Sequence, residues 1–129
     1  MGKPVTFQTD GWAATNTTIR AYIQDDATGI NIVPSTVSAI AYTITEAMGP
    51  NQGHVYANAV ALSPVGSYLN SSLSTTGWTV DSTGWNFLAS LPAACFPDAG
   101  EYVIDLLFTL AADSSTFPVK CYHHARSRS

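Results

Sequence analysis

Three histidines, His54, His123 and His124, are the residues of this sequence best suited to acid–base chemistry or metal binding. His123 and His124 are adjacent in a segment that alternates apolar and polar residues. On a strand their rings therefore point to opposite faces and cannot bind one metal ion together. His54 with either one of them is the alternative that the spacing leaves open. We interpret all three as structural or surface residues and predict no metal site.

Two adjacent carboxylates form a second group with possible chemistry. Asp25 and Asp26 occur in a polar, glycine-ended segment with Asn31 nearby. Oxygen ligands of this kind suit Ca²⁺, but the spacing differs from that of the helix–loop–helix calcium site. Aspartates are also common in turns because they accept hydrogen bonds from local backbone amides. We therefore interpret this segment as a turn.

The sequence lacks the motifs of a catalytic nucleophile. It contains neither a G-x-S-x-G motif nor a glycine-rich phosphate loop. Cys95 and Cys121 are too few for a disulfide scaffold and lack metal-ligand spacing. A single bond between them and two separate buried thiols are the alternatives that remain. We predict no catalytic residue and no cofactor, and expect that the protein is not an enzyme.

Alternation with a period of two residues recurs along the chain and predicts half-buried strands. The residues predicted to face inward are Ile19, Ala21 and Ile23; Ile40, Tyr42 and Ile44; Trp85, Phe87, Ala89 and Leu91; Tyr102, Ile104, Leu106, Phe108 and Leu110; and Phe117, Val119 and Cys121. Turn residues separate these segments, and no helix beyond a turn or two is expected, with Pro92–Cys95 the best candidate for one. About seven or eight regularly spaced strands predict an all-β fold. We expect one antiparallel β-sandwich domain over residues 1–129, with short flexible tails at both ends.

Composition excludes several classes of protein. The chain has 129 residues, 11% of them charged, and a net charge of −4 with five Lys and Arg. So few basic residues argue against a nucleic-acid interface. No window approaches the roughly 18 apolar residues of a membrane-spanning helix. The first residues also lack the apolar segment of a secretory signal. We therefore expect neither nucleic acid nor membrane as a partner.

The predicted strand Gly100–Leu110 carries apolar residues on both of its faces. Val103 and Leu107 lie on the second face, with Asp105 between them. A strand of this kind is either central in the fold or covered by another subunit. Exposed aromatic and arginine side chains are also frequent at interfaces. The candidate interface residues are Trp12, Trp78, Val103, Asp105, Leu107, Arg126 and Arg128.

Three stretches of the chain together carry a resemblance to a known family. They are Thr17–Asp25 before a polar turn, Val37–Ile44, and Pro97–Asp105 followed by Phe108–Asp113. This layout resembles the immunoglobulin-like domains of tailed-phage virion proteins, including the N-terminal domains of baseplate upper proteins and small neck or capsid-decoration proteins. The resemblance implies an immunoglobulin-like sandwich without catalytic residues. It also implies docking onto other virion structural proteins as a homo-oligomer, and a location in the virion after synthesis in the host cytoplasm.

Two functions follow as hypotheses. The first is a non-catalytic structural protein of a bacteriophage particle, in the tail, neck, baseplate or capsid decoration. The alternative is a secreted or surface β-sandwich module that binds carbohydrate or protein through Trp12, Trp78 or Trp85.

Overall fold

A computed structural model describes residues 2–25 and 31–126 and places eight strands in two four-stranded sheets. The strands are β1 (Gly2–Asp10), β2 (Thr17–Asp25), β3 (Val37–Met48), β4 (Val55–Ala61), β5 (Leu69–Ser74), β6 (Trp85–Leu91), β7 (Gly100–Leu110) and β8 (Thr116–Ala125). Single turns of 3₁₀ helix occur at Pro34–Thr36, Val65–Ser67 and Ala93–Cys95. The last of these lies where the sequence predicts a helical turn. None of the helices in the described residues is long and apolar enough to cross a membrane.

The strand order is that of an immunoglobulin-like sandwich. One sheet has the order β1-β2-β6-β5 and the other β4-β3-β7-β8, with antiparallel pairing within each sheet. If β1 to β8 are given the letters A, B, C, C′, D, E, F and G, these are the A-B-E-D and C′-C-F-G sheets of that fold. The prediction of an all-β antiparallel sandwich with seven or eight strands is confirmed.

The core lies between the two sheets and is built by the alternating residues. All of the residues predicted to face inward are buried except Leu110, which is half-buried and packs against the core. Successive strand side chains point to opposite faces, so alternation in the sequence becomes one apolar face per strand. Each fully buried Phe, Ile or Leu side chain contributes about 1.5–3 kcal/mol to folding. Three aromatic rings pack against one another in the core and connect the two sheets. The ring centroids of Phe87 and Phe108 are 5.7 Å apart, and those of Phe108 and Phe117 are 5.1 Å apart.

A buried tyrosine closes the corner between β6 and β7. Tyr102 lies near the start of β7, and its hydroxyl donates a 2.7 Å hydrogen bond to the carbonyl oxygen of Asp98. Its ring packs edge-on against Phe96, with centroids 5.0 Å apart. Burial raises the pKa of Tyr102 to about 12, so the hydroxyl stays protonated and can donate. This contact is the tyrosine corner of immunoglobulin-like sandwiches.

The buried side chain of Asn86 bonds to backbone groups at the end of β2, where backbone pairing with β6 has ended. Residue pairing between β2 and β6 ends at Ala21 and Phe87. Beyond it, Asn86 Oδ1 accepts a 2.9 Å hydrogen bond from the Ile23 amide, and Nδ2 donates to the carbonyls of Ile23 (3.0 Å) and Ile32 (2.9 Å). Since buried backbone groups must be paired, this side chain lets residues 23 and 32 stay inside the sandwich.

Several sequence predictions concern cysteines, turns and tails. Cys95 and Cys121 are both buried free thiols, so of the two alternatives the structure has the separate thiols. Burial raises the pKa of Cys121 to about 12.

The Asp25 side chain, Asp26 and Arg128 lie outside the described part of the chain. At the N-terminal end, where a tail was expected, backbone pairing with β2 already begins at Gly2.

Candidate interaction surface

Three of the seven predicted interface residues lie on the outer face of the β4-β3-β7-β8 sheet. Residues Val103, Asp105 and Leu107 alternate with core residues of β7, so their side chains point away from the core. The strand register arranges this face in three cross-strand rows, Thr45–Val103–Tyr122, Thr43–Asp105–Lys120 and Ala41–Leu107–Pro118. We call these nine residues the outer sheet face.

The outer sheet face is accessible and presents little net charge. Leu107 is 44% exposed. Beside it lies a depression of about 290 Å³ whose lining residues are small or apolar except for Asp105; they are Ala41, Thr43, Ala59, Asp105, Leu106, Leu107 and Pro118. The charges on the face pair with each other, because Lys120 Nζ lies 3.7 Å from Asp105 Oδ1. An exposed pair of this kind contributes about 0–1 kcal/mol to stability, so its main effect here is to neutralise the surface.

The outer face of the other sheet is partly covered by the chain itself. The loop 75–84 lies over β1 and β2, where Gln8 Nε2 donates to the Gly77 carbonyl (2.9 Å) and Gln8 Oε1 accepts from the Thr79 amide (2.9 Å). Gly77 packs so closely on Arg20 that an added Cβ would lie 2.7 Å from Nη2. Within the described part of the chain, this loop therefore covers part of the β1-β2-β6-β5 sheet and leaves the outer sheet face uncovered.

Two of the three tryptophans are buried, which corrects one interface prediction. Trp78 and Trp85 are each 7% exposed, whereas Trp12 is 49% exposed. Trp78 Nε1 donates a 2.8 Å hydrogen bond to Asp81 Oδ1, and Trp85 Nε1 donates a 2.9 Å bond to the Thr76 carbonyl. Each indole N–H thus has a partner inside the loop, which allows the ring to be buried. Trp78, expected at an interface, instead packs within its own loop.

Trp12 and Arg126 meet at one end of the sandwich. They form a parallel bridge, and the Ala13 amide donates a 2.8 Å hydrogen bond to the Arg126 carbonyl. This pairing brings the chain after β1 against the end of β8. The groove at this junction has a volume of about 440 Å³ and is lined by Thr9, Gly11, Trp12, Tyr122, His123, His124 and Arg126. We call it the terminal groove.

The histidines occupy three different environments. His123 is buried, with Nδ1 2.8 Å from Thr9 Oγ1, whereas His124 is exposed, with Nδ1 3.2 Å from Glu101 Oε1. The prediction that the adjacent pair faces opposite ways is confirmed. His54 is exposed and packs edge-on against Tyr56, with centroids 4.4 Å apart. Across residues 2–25 and 31–126, no group of three or more His, Cys, Asp or Glu side chains could hold a metal ion.

Sequence reasoning missed one buried carboxylate, Glu46. Its Oε1 accepts a 2.6 Å hydrogen bond from the Tyr56 hydroxyl, and its Oε2 accepts a 2.8 Å bond from the Asn51 amide. Together these contacts tie the loop 49–54 to β3 and β4. The signal was present, since Glu46 has the same parity as Tyr42 and Ile44 and so continues the inward face.

Fold and surface together define an immunoglobulin-like β-sandwich with one accessible, weakly charged sheet face. Comparison with protein-family models, curated proteins and solved structures found no match to this chain. The fold class rests on the strand order and on the Tyr102–Asp98 contact. Function has to be argued from the surfaces of the molecule.

Proposed function

We propose that this protein is a non-catalytic structural component of a bacteriophage particle and that its outer sheet face contacts neighbouring subunits. The observation that carries the proposal is the apolar row Ala41–Leu107–Pro118 on the outer sheet face, in which Leu107 and Pro118 are exposed. Burying apolar surface contributes about 25 cal/mol per Å². A second protein surface placed on this face would provide that burial.

The chemistry of the face suits a protein partner. Interface cores are depleted in charged residues and enriched in apolar ones. Asp105 and Lys120 already pair with each other, so a neutral partner surface need not supply a counter-charge. Small side chains at Ala41 and Thr43 let a partner approach the sheet closely. The same patch on a second copy would meet these requirements, and symmetric self-association is the commonest form of assembly.

The location in a particle is supported by the resemblance of Thr17–Asp25, Val37–Ile44 and Pro97–Asp105 to virion domains. The immunoglobulin-like strand order agrees with that resemblance. Tail, neck, baseplate and head decoration are all compatible with a single sandwich. Copy number relative to the major capsid protein separates them, because decoration proteins are far more numerous than ring proteins.

Self-association through the outer sheet face is tested with a matched pair of variants. Leu107 and Val80 are both 44% exposed, but Val80 lies in the loop over the other sheet. We expect Leu107→Lys to weaken self-association and Val80→Lys to leave it unchanged, as measured by light scattering and sedimentation over a range of micromolar concentrations. Mass spectrometry of purified particles tests the location. A protein that is monomeric throughout and absent from particles would contradict the proposal.

A further inference from the structure

We propose that the terminal groove binds an acidic saccharide, that is, a sugar chain bearing carboxylate groups. In this arrangement Trp12 and Tyr122 pack against sugar rings and Arg126 binds a carboxylate. The inference concerns a site at the end of the sandwich and does not depend on the proposed location in a particle.

Two large aromatic rings are exposed at this groove. Trp12 is 49% exposed and Tyr122 is 59% exposed. The other two tryptophans are buried, Trp78 in the loop 75–84 and Trp85 at the start of β6, so Trp12 is the exposed one of the three. The negative face of an aromatic ring attracts partly positive hydrogens such as the C–H groups on the flat face of a sugar ring. Two exposed rings in one groove therefore favour a ligand with ring-shaped units.

Three groove residues follow one another along the end of β8. Tyr122 and His124 in β8, and Arg126 directly after it, alternate with buried residues and so share one side of the chain. Four residues of strand separate Tyr122 from Arg126 by about 13 Å. The bridge between Trp12 and Arg126 places the second ring beside the arginine. An extended chain can thus contact a ring at each end, with the cation next to one of them.

Arg126 supplies the charge that selects an acidic ligand. Lys120 is paired with Asp105, and His124 lies against Glu101. Arg126, in contrast, is exposed and forms no ion pair with any side chain that the structure describes. A guanidinium group matches a carboxylate with two parallel hydrogen bonds. Glu101 lies on β7, whereas Trp12 approaches β8 from its other edge, so this carboxylate stands on the opposite side of β8 from Trp12.

The presence of Trp12, Tyr122 and Arg126 in one groove favours one class of ligand over the others. A neutral sugar would use the rings but leave Arg126 without a partner, and an inorganic anion would use Arg126 but neither ring. An acidic saccharide uses all three side chains, and its hydroxyl groups can bond with the polar rim formed by Thr9 and His124. An acidic peptide is the competing class, and the experiment separates it.

The test uses oligogalacturonate as the acidic probe, with malto-oligosaccharide as the neutral probe and polyglutamate as the acidic peptide. Trp12 is the most exposed of the three tryptophans, so a change in tryptophan fluorescence on binding reports on the groove. Calorimetry gives the affinity independently. We expect saturable binding of oligogalacturonate and weaker binding of the other two probes.

Matched variants identify the side chains responsible. Arg126→Gln and Trp12→Ala are each expected to weaken oligogalacturonate binding by about tenfold or more, as loss of a charged hydrogen bond or a stacked ring would. Lys120→Gln removes one positive charge from the same side of β8 and is expected to leave binding within about twofold, since that charge is already paired. Unchanged thermal unfolding of the variants excludes misfolding as the cause.

Three results would overturn the inference: no saturable binding by the unmodified protein, equal losses in Lys120→Gln and Arg126→Gln, or equally tight binding of polyglutamate. Leu107→Lys separates this inference from the proposed function. It is expected to weaken self-association and leave saccharide binding by the monomer unchanged, because Leu107 lies opposite Pro118, four residues along β8 from Tyr122, the residue that the outer sheet face and the terminal groove share.

Discussion

Tyr102 and Asp98 are joined by a 2.7 Å hydrogen bond from the tyrosine hydroxyl to the aspartate carbonyl oxygen. This bond fixes the path of residues 97–101 as the chain passes from one sheet to the other. The amide of Asp98 also lies 3.3 Å from the same hydroxyl. One buried side chain thus defines both the corner and the start of β7, the strand that carries the centre of the outer sheet face.

Replacing Tyr102 by Phe is expected to lower the free energy of unfolding by about 1–2 kcal/mol, because a buried carbonyl loses its donor while the ring packing is kept. Urea unfolding measures the change. Tyr122→Phe is the matched control, since that hydroxyl is on an exposed side chain and its loss should cost less than about 0.5 kcal/mol. Equal costs for the two variants would show that the Tyr102 hydroxyl does not stabilise the corner.

Replacing Asn86 by Ala is expected to lower the free energy of unfolding by about 2–4 kcal/mol, because the Ile23 amide and the Ile32 carbonyl lose this partner in a buried position. The Ile23 carbonyl keeps its bond from the Ile32 amide. Loss of hydrogen-exchange protection at the Ile23 amide gives a local readout. Asn58→Ala makes the same chemical change at an exposed position of β4 and is expected to have little effect. Retained protection of the Ile23 amide in Asn86→Ala would contradict the assignment.

Asp81 is expected to make stability depend on pH in the acid range. The hydrogen bond from Trp78, together with those from the Gly84 and Thr83 amides, lowers the pKa of Asp81 below its ordinary value. A carboxyl whose pKa is lower in the folded state stabilises the fold above its unfolded pKa, and this stabilisation is lost as the pH falls through the folded pKa. Asp81→Asn should therefore be less stable than the unmodified protein at neutral pH, and the difference should shrink below about pH 4.

Thermal unfolding at a series of pH values measures this difference. Trp78→Phe removes the principal donor to Asp81, so it should flatten the same pH dependence while lowering stability at every pH. A gap between Asp81→Asn and the unmodified protein that is constant from neutral to acid pH would rule out the ionised carboxylate as its source.

The strands with one strongly apolar face could be predicted because burial on one side imposes a period of two residues. The edge strand β5 shows no alternation of apolar and polar residues, since Leu69 is the one fully buried residue along its length. Trp78 was misplaced for a related reason. It lies in an irregular loop, where no periodicity indicates which side chains turn inward. The burial of Glu46, in contrast, could be predicted from the sequence, because its parity alone places it among buried residues.

The sequence by itself determined the all-β class, the inward face of each main strand and the apolar second face of β7, because these depend on residues close together in the chain. The tertiary structure decided which surface stays open and where the terminal groove forms. The loop 75–84 covers one sheet and leaves the outer sheet face accessible. At the groove, Thr9 and His123 meet although 114 positions separate them. Contacts over such distances depend on how the sheets pack, and no local pattern of residue types encodes them.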